Sequence, residues 1–183
     1  MLIDSKLHVY QKIISTGTME YSLFFIINFL LCSITIVFSE CERGWLHYGN
    51  SCYYISDTKK SWASAASFCR AYHSQLADVQ TREENTFLVD TIDKIDRDTG
   101  TVHDYWLDGT DQVLEGVWVW ASTGKQLSYT NWYPNEPNSA HGNEDCLEIK
   151  NHKGNGWNDI NCSYEFNFIC EMEFPASGNI IGK

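Results

Sequence analysis

Oxygen-bearing side chains are concentrated in one polar stretch of the chain, residues 131–159. The stretch offers these carboxylate or amide ligands for a cation: Glu136, Asn138, Glu144, Asp145, Asn158 and Asp159. Such oxygens are hard donors, which suit Ca²⁺ and are poor partners for softer metals. Carboxylates that lie close together repel one another unless a cation or solvent relieves the charge. The stretch is therefore a candidate calcium site, although composition alone leaves a solvated acidic loop equally open.

The charge balance limits the classes of partner. The chain of 183 residues carries 13 Lys and Arg against 24 Asp and Glu, a formal net charge of −11 at pH 7. A nucleic acid partner is disfavoured, because binding phosphates requires clustered basic residues. The sequence also lacks a His-Glu-x-x-His motif, a Gly-rich phosphate loop and a Ser/His/Asp motif context, so we expect no enzymatic activity. The length predicts a single domain.

The start of the chain predicts export. An apolar run from Leu23 to Phe38 ends in small residues suited to a signal peptidase. We expect a signal peptide over residues 1–39, with Met19 as an alternative start, and a secreted, extracellular product. The alternative is a type II signal anchor, with Lys6 and Lys12 on the cytoplasmic side. Cys41 follows the run at once and leaves no stalk, which favours cleavage. The mature domain then covers residues 40–174, followed by a short tail, 175–183.

The cysteine count supports export. Beyond the apolar run the cysteines are Cys41, Cys52, Cys69, Cys146, Cys162 and Cys170. An even number in an exported domain predicts a disulfide framework, whose pairing the spacing alone leaves open. No cysteine and histidine spacing typical of zinc occurs.

Two helices are predicted in the first half of the domain. Residues 45–54 alternate around Gly49-Asn50 and predict a hairpin, which precedes a helix over 61–72. Its expected apolar face is Trp62, Ala65, Ala66, Cys69 and Tyr72. Thr81 to Glu84 form a capping box that opens a second helix. Its expected buried stripe is Phe87, Leu88, Ile92 and Ile95, and its expected solvated face is Asp90, Asp93, Asp96 and Asp98.

After Gly100 the pattern changes to short β-rich runs. These are residues 105–107, 117–120, 146–149 and 166–170, separated by polar clusters. Helices followed by strands predict an α+β domain with an antiparallel sheet. Apart from the run 146–149, the polar stretch 131–159 is predicted as a loop, and long loops within compact domains are usually functional or disordered, so a site is expected there.

The order of these motifs resembles the C-type lectin family. The residues that carry the resemblance are Glu136-Pro137-Asn138, Glu144-Asp145-Cys146, Trp157-Asn158-Asp159 and Cys162, supported by Cys41, Cys52, Trp62 to Cys69, Trp106-Leu107 with Gly109, Trp118, Trp120 and Phe168 to Glu171. The similarity covers roughly residues 41–174 and is typical of short secreted invertebrate lectins of the perlucin type. It implies two helices packed on antiparallel sheets, a long calcium-binding loop and three disulfides. The implied pairs are Cys41–Cys52, Cys69–Cys170 and Cys146–Cys162.

The resemblance also implies a ligand set. Glu136, Asn138, Glu144, Asn158 and Asp159 would hold one Ca²⁺, with a cis peptide bond before Pro137. Two neighbouring sugar hydroxyls complete the calcium shell in this family, so the same side chains would bind carbohydrate. Glu before Pro and Asn after it implies glycans with equatorial 3- and 4-hydroxyls: mannose, glucose, N-acetylglucosamine and fucose. A galactose site would have Gln-Pro-Asp.

Three departures from the family pattern matter. Asp111, Glu115 and Asp145 match the ligands of an auxiliary calcium ion, but Ser139 stands where a further Asp is usual, so we expect a weaker or empty site. Asp108 is inserted between Leu107 and Gly109, and we expect a surface turn there. Two extra residues within 151–156 lengthen a neighbouring loop, which leaves the fine sugar preference open. The candidate stacking aromatics beside the site are Trp132 and Tyr133.

The leading hypothesis is a secreted, calcium-dependent lectin of mannose-type specificity that recognises microbial or self glycans. Single-site sugar binding is weak, so homo-oligomers or a multivalent surface would supply avidity. The alternatives are an acidic biomineral-matrix protein of the perlucin type, a membrane-anchored type II lectin receptor, and a domain that binds protein without calcium.

Overall fold

The structure is a computed structural model that describes residues 40–151 and 154–174. The predictions of a signal peptide over 1–39 and of a tail over 175–183 lie outside these residues. Within the described ranges, no helix has the length and apolar character that crossing a membrane requires.

The α+β class is confirmed. In chain order the elements are β1 Leu46–Tyr48, β2 Ser51–Ile55, α1 Trp62–Ala71, β3 Gln75–Leu76, α2 Arg82–Thr99, β4 Tyr105–Thr110, β5 Val119–Trp120, a 3-10 turn Ala140–Gly142, β6 Cys146–Lys150, β7 Gly156–Ile160 and β8 Asn167–Glu173. The β1–β2 hairpin turns at Gly49, whose φ of 59° lies in the left-handed region that glycine tolerates.

Both helices form where the sequence predicts them. On α1 the side chains of Trp62, Ala65, Ala66 and Cys69 are buried, whereas Tyr72 lies at the helix end and is 51% exposed. Thr81 caps α2 by accepting a hydrogen bond from the Glu84 N–H at 3.1 Å. The Glu84 carboxylate reaches back one residue further than a capping box requires, to the Gln80 N–H at 2.8 Å.

The faces of α2 differ from the prediction at one position. Leu88 and Ile92 are fully buried, and Phe87 and Ile95 are partly buried. Asp90 and Asp98 are exposed and Asp93 is half-buried. Asp96 was expected on the solvated face, but it is buried because donors from outside the helix satisfy its carboxylate, including His103 Nδ1 at 2.8 Å.

The sheet is mixed rather than purely antiparallel. Its strand order is β1-β2-β8-β4-β6-β7, with β3 paired to β8 and β5 paired to β4. The β4–β8 pair is parallel, with Tyr105 opposite Asn167 and Trp106 opposite Phe168, and the other strand pairs are antiparallel. The last strand, β8, therefore lies between β2 and β4 and joins the β1–β2 hairpin to the strands β4, β6 and β7.

Two predictions about the second half of the domain are wrong. Residues 156–159 were included in the predicted loop 131–159, but they belong to β7, which pairs with β6 from Cys146–Ile160 to Lys150–Gly156. Asp108 was expected at a surface turn, but it lies within β4 and is 3% exposed. The Asp108 carboxylate accepts a hydrogen bond from the Ser122 N–H at 2.8 Å, and burial raises its pKa to about 6.

The core and the disulfides agree with the predictions. Trp106, Trp118, Trp120 and Trp157 are buried core residues. The expected pairs Cys41–Cys52, Cys69–Cys170 and Cys146–Cys162 are all formed. Cys69–Cys170 links α1 to β8 across a sequence separation of 101, and Cys146–Cys162 links the start of β6 to the segment that directly follows β7.

Candidate functional site

The segment before the candidate site is fixed on β7. The Trp157 N–H donates to the Asn131 carbonyl at 2.8 Å, and the Tyr133 N–H donates to the Trp157 carbonyl at 2.9 Å. The Glu136–Pro137 peptide bond is cis, as the resemblance implies. Glu136 and Asn138 thus follow closely after residues 131–133, which hydrogen bonds hold against the β7 backbone.

Three of the predicted ligands meet at one turn. The Asp159 carboxylate, from β7, accepts the Asn138 N–H at 3.1 Å through Oδ1 and the Ser139 N–H at 2.6 Å through Oδ2. The Asn138 Nδ2 group donates to the Glu136 carboxylate. Asp159 is 1% exposed, so these charge-assisted hydrogen bonds bind the loop firmly to the strand.

Glu144 is bound to the same turn from its other end. The Ala140 N–H donates to Glu144 Oε2 at 2.8 Å. Successive amides, at Asn138, Ser139 and Ala140, therefore bind the carboxylates of Asp159 and Glu144. The left-handed φ values of Ser139, 44°, and His141, 63°, turn the chain tightly enough for this arrangement. His141 is exposed, as expected for a loop histidine.

The orientation of the last predicted ligand, Asn158, depends on Glu148, which was not among the candidate residues predicted from the sequence. Asn158 lies opposite Glu148 in the β6–β7 pairing, and its Nδ2 donates to Glu148 Oε1 at 2.9 Å and to the Asp159 carbonyl at 2.8 Å. Both amide hydrogens are thus engaged, which leaves the Asn158 carbonyl oxygen as the atom available to a cation. The sequence indication for Glu148 was a single charged residue within the predicted strand 146–149, whose other residues are apolar.

The carboxylates of the site are crowded. Burial raises the pKa of Glu136, and the neighbouring Asp159 raises it further, against opposing effects of Asn138 and Lys150. Burial also raises the pKa of Glu148 to about 8, helped by Asp104. A divalent cation would relieve this repulsion, and the donor set of carboxylate and amide oxygens is of the kind that Ca²⁺ prefers.

The ionisable side chains of the site alone do not form a complete metal-binding geometry in the described residues. Across residues 40–151 and 154–174, no group of three or more His, Cys, Asp or Glu side chains is arranged to hold a metal ion. Instead, Glu136, Asn138, Asn158 and Asp159 use part of their hydrogen-bonding capacity on one another and on the backbone. The two asparagines contribute amide oxygens, which would complete a shell that the carboxylates only begin.

The expected auxiliary ligands lie beside this turn. Asp111 is 2% exposed, its Oδ2 accepts the Gly116 N–H at 2.8 Å, and its Oδ1 has no hydrogen-bond partner. Burial raises the pKa of Asp111, followed by the charges of Glu115 and Asp145. The Ser139 hydroxyl donates to Glu115 Oε2 at 3.2 Å, so serine stands among these ligands where an acidic side chain would add a further oxygen.

The two candidate stacking aromatics support the loop instead. Trp132 packs edge-on against Trp118, with ring centroids 4.8 Å apart. The Tyr133 hydroxyl donates to the Lys150 carbonyl at 3.1 Å, and its ring covers Gly156, where a Cβ atom would lie 2.7 Å away. Only glycine at position 156 allows the aromatic ring to pack against the start of β7.

Similarity to known proteins agrees with this geometry. A family model described as Lectin C-type domain matches residues 58–172. The chain belongs to the C-type lectin family. It is 37% identical over 134 residues to perlucin of Haliotis laevigata, an alignment covering 73% of this chain and 83% of perlucin. It is 32% identical over 154 residues to the galactose-specific lectin nattectin of Thalassophryne nattereri, covering 80% and 94% of the two chains.

A solved C-type lectin domain has the same fold. The carbohydrate-recognition domain of the mouse scavenger receptor C-type lectin superposes with a TM-score of 0.64 at 31% identity, covering 74% of this chain and 98% of that one. This C-type lectin is thus a carbohydrate-binding domain of a family whose members are generally not enzymes. The similarity to perlucin confirms the subgroup that the motif order indicated.

Proposed function

We propose that this C-type lectin is a secreted, calcium-dependent protein that binds glycans of the mannose type. The observation that carries the proposal is the turn at which the backbone amides of residues 138–140 bind the carboxylates of Asp159 and Glu144 beside Glu136. The proposed ligands of both Ca²⁺ and sugar are Glu136, Asn138, Glu144, Asn158 and Asp159. When bound, Ca²⁺ would supply the positive charge to which two neighbouring sugar hydroxyls add their oxygens.

The side chains around that position have complementary tasks. Carboxylates only accept hydrogen bonds, so Glu136 and Glu144 would accept the hydroxyl hydrogens of the sugar. The Asn138 amide uses one N–H on Glu136, and its second N–H could donate to a hydroxyl oxygen. Asn158 would contribute its carbonyl oxygen to the cation, because Glu148 and the Asp159 carbonyl occupy its amide hydrogens.

The sugar class is proposed from the Glu136-Pro137-Asn138 motif. Glutamate before the proline and asparagine after it favour vicinal equatorial 3- and 4-hydroxyls, found in mannose, glucose, N-acetylglucosamine and, with equivalent geometry, fucose. Nattectin, at 32% identity, is a galactose-specific lectin. Its similarity therefore supports carbohydrate binding by this chain, while the choice of sugar depends on the residues at positions 136 and 138.

Mannose-agarose chromatography tests the proposal. We expect retention of the protein in Ca²⁺ and elution by EGTA. Glu136→Gln should abolish retention, whereas Glu83→Gln, which removes the same charge from an exposed position on α2, should not. Retention that persists unchanged in EGTA would show that the calcium-bridged mechanism is wrong.

Secretion and avidity complete the proposal. The three disulfides are typical of an oxidising compartment, which supports export. A single sugar site binds weakly, so we propose that homo-oligomers or a multivalent glycan surface provide the working affinity. Sedimentation of the secreted protein, with a comparison of its binding to monovalent and clustered mannose, measures both parts.

A second candidate function is binding to a calcium mineral through the acidic surface. The net charge is −11, and Glu83, Asp90 and Asp98 of α2 are exposed and are not among the proposed ligands. The measurement is growth of calcium carbonate crystals with the protein and with its Glu136→Gln variant. An effect on growth that survives this substitution favours the mineral surface over the sugar site.

A further inference from the structure

We propose that α2 positions the sugar site through a polar contact with the β6–β7 loop, in which Asp96 binds Asn151 and Asp93 binds Asn155. These four residues are called the helix–loop contact below. The inference rests on the proposed function, because it concerns the geometry of the same ligands. It assigns a role to two helix carboxylates and two loop amides that are not among the proposed ligands and do not belong to the apolar core.

Asp96 is the fixed end of the helix–loop contact. It is 7% exposed, and its carboxylate accepts the His103 N–H at 3.1 Å, His103 Nδ1 at 2.8 Å, the Tyr105 hydroxyl at 3.4 Å and the Asn151 amide. A buried carboxylate with this many donors is costly to disturb, so it is a rigid anchor. Asn151 is the only one of these donors that belongs to the β6–β7 loop.

The two ends of the loop are bound to the same helix face. Asn151 directly follows β6, and Asn155 directly precedes β7. Asn155 Nδ2 donates to Asp93 Oδ2 at 3.1 Å. Asp93 and Asp96 are three residues apart on α2 and hence neighbours on its surface. The Asn151 N–H also donates to Asp104 Oδ1 at 3.0 Å, which fixes the backbone at that end.

The opposite side of the loop contacts the segment that leads to the site. Asn131 Nδ2 donates to the Asn155 carbonyl at 3.0 Å, and the Tyr133 hydroxyl donates to the Lys150 carbonyl at 3.1 Å. The residues at the two ends of the loop therefore contact both α2 and the segment 131–133. Glu136 follows Tyr133 by three residues, and Asn158 follows Asn155 by three, so the loop is connected to both halves of the ligand set.

This arrangement separates positioning from stability. Removing the Asn151 and Asn155 side chains leaves Asp96 with His103 and Tyr105, and it leaves the packed core of α2 unchanged. The lost contacts belong to two half-buried asparagines. We therefore expect the ligand geometry to suffer more than the folding equilibrium.

The experiment compares the Asn151→Ala/Asn155→Ala double variant with Asn50→Ala, an asparagine removed from an exposed turn away from the site. Calcium affinity is measured by titration calorimetry without sugar, and thermal stability is measured in EDTA. We expect the double variant to bind Ca²⁺ about 10-fold more weakly, as for other groups that orient metal ligands, with little change in Tm. Asp93→Asn, which retains an acceptor for Asn155, should bind like wild type.

Hydrogen exchange provides a readout that requires neither ligand. Amides of β7 should lose protection in the double variant while those of β2 and β8 keep theirs. The inference would be overturned if the double variant kept both the calcium affinity and the β7 protection of wild type. It would also be overturned if the Tm of the double variant fell so far that unfolding explained the whole loss of calcium affinity. Wild-type protein that binds Ca²⁺ but not mannose would contradict the sugar assignment alone, because both of these measurements are made without sugar.

Discussion

The direction of single amide and carboxyl groups decides whether the ligand set can bind a cation. Asn158 presents its carbonyl oxygen because Glu148 Oε1 and the Asp159 carbonyl accept its hydrogens, at 2.9 and 2.8 Å. Glu148 is 1% exposed, and its Oε2 has no hydrogen-bond partner. The cost of burying such a group is tolerated where its other oxygen holds in place a side chain that we propose as a calcium ligand.

Glu148→Leu should weaken calcium binding by about 10- to 100-fold, because the Asn158 amide loses the acceptor that fixes its orientation. Glu148→Gln should lose less, since the Gln carbonyl can still accept from Asn158 Nδ2. Titration calorimetry with Ca²⁺ measures the change in calcium affinity, and Tm in EDTA serves as the folding control. Equal calcium affinities for wild type and the Leu variant would show that Glu148 does not orient the ligand.

Exchanging the motif residues should exchange the sugar preference. In the Glu136→Gln/Asn138→Asp variant, the acceptor and the amide donor change places around Pro137, so the pattern of hydroxyls that fits changes with them. We expect the ratio of galactose to mannose affinity to rise by at least about 10-fold, or 1.4 kcal/mol. Competition by the free monosaccharides on a glycan-coated surface measures the ratio. An unchanged preference for mannose would contradict the assignment of Glu136 and Asn138.

At the residue level, side-chain chemistry marked several oxygen donors as candidates, and the resemblance to the C-type lectin family selected among them. The structure brings three of these residues, Glu136, Asn138 and Asp159, together at one turn; their role as calcium ligands stays a prediction. Asp96 and Asp108 were misplaced, because helical periodicity and loop context assume that an isolated carboxylate seeks water. Their donors, His103 and the Ser122 N–H, lie on segments that only the tertiary fold brings near.

At the scale of elements, the apolar pattern predicted both helices and the better part of the sheet. It missed β7 because Gly156 and the adjacent polar residues Asn158 and Asp159 break the alternation of apolar and polar residues that marks a strand. It also missed the parallel β4–β8 pair. Long-range pairing depends on the path of the whole chain, which local alternation does not encode.

The Cys146–Cys162 disulfide should matter to the site as well as to the fold. It connects the start of β6 with the segment after β7, and so closes the hairpin that carries Asn158 and Asp159. Replacing both cysteines with alanine should lower calcium affinity several-fold, in addition to a stability loss of roughly 2–4 kcal/mol.

The matched control for this variant is Cys41→Ala/Cys52→Ala. That disulfide has a comparable sequence separation, 11 against 16, and lies at the β1–β2 hairpin. Urea unfolding and calcium titration of both variants separate the two effects. If both double variants lose calcium affinity equally, the Cys146–Cys162 bridge acts only through overall stability.

At the scale of the whole molecule, a cluster of buried and half-buried carboxyls joins the first hairpin, α2 and the last strand. Glu171 of β8 accepts the Ser51 hydroxyl at 2.7 Å and the Asp78 N–H at 3.1 Å. The Tyr53 hydroxyl lies 2.7 Å from Glu84 Oε1 and 3.3 Å from Glu171 Oε1. Burial, followed by the charges of Asp78 and Glu84, raises the pKa of Glu171 to about 7.

This raised pKa predicts that the calcium-free protein becomes more stable on mild acidification. A glutamate in the unfolded chain has a pKa of about 4.3, so between about pH 4.3 and 7 the folded state binds the additional proton. The resulting stability is complete below that window and is lost as the pH rises through it. In EDTA, Tm should be higher at pH 5.5 than at pH 7.5, and Glu171→Gln should reduce the difference. A Tm that falls on acidification to pH 5.5 would contradict this account.

Calcium binding should reverse that dependence, because the proposed ligands must be ionised to hold the cation. The raised pKa of Glu136 means that protons compete with Ca²⁺ there. Calcium at about 100 times its dissociation constant should add about 2.7 kcal/mol of stability at pH 7.5, and distinctly less at pH 5.5, where bound sugar should also be released.

Mg²⁺ at the same concentration should add little, because it demands a smaller octahedral shell. Glu136→Gln should abolish the calcium increment at both pH values while keeping the acid stabilisation that depends on Glu171. Thermal unfolding at the two pH values, with EDTA, Ca²⁺ or Mg²⁺, therefore separates the charge that serves the site from the charge that serves the fold. An increment of equal size for both ions, or one that survives Glu136→Gln, would indicate general screening of the −11 net charge.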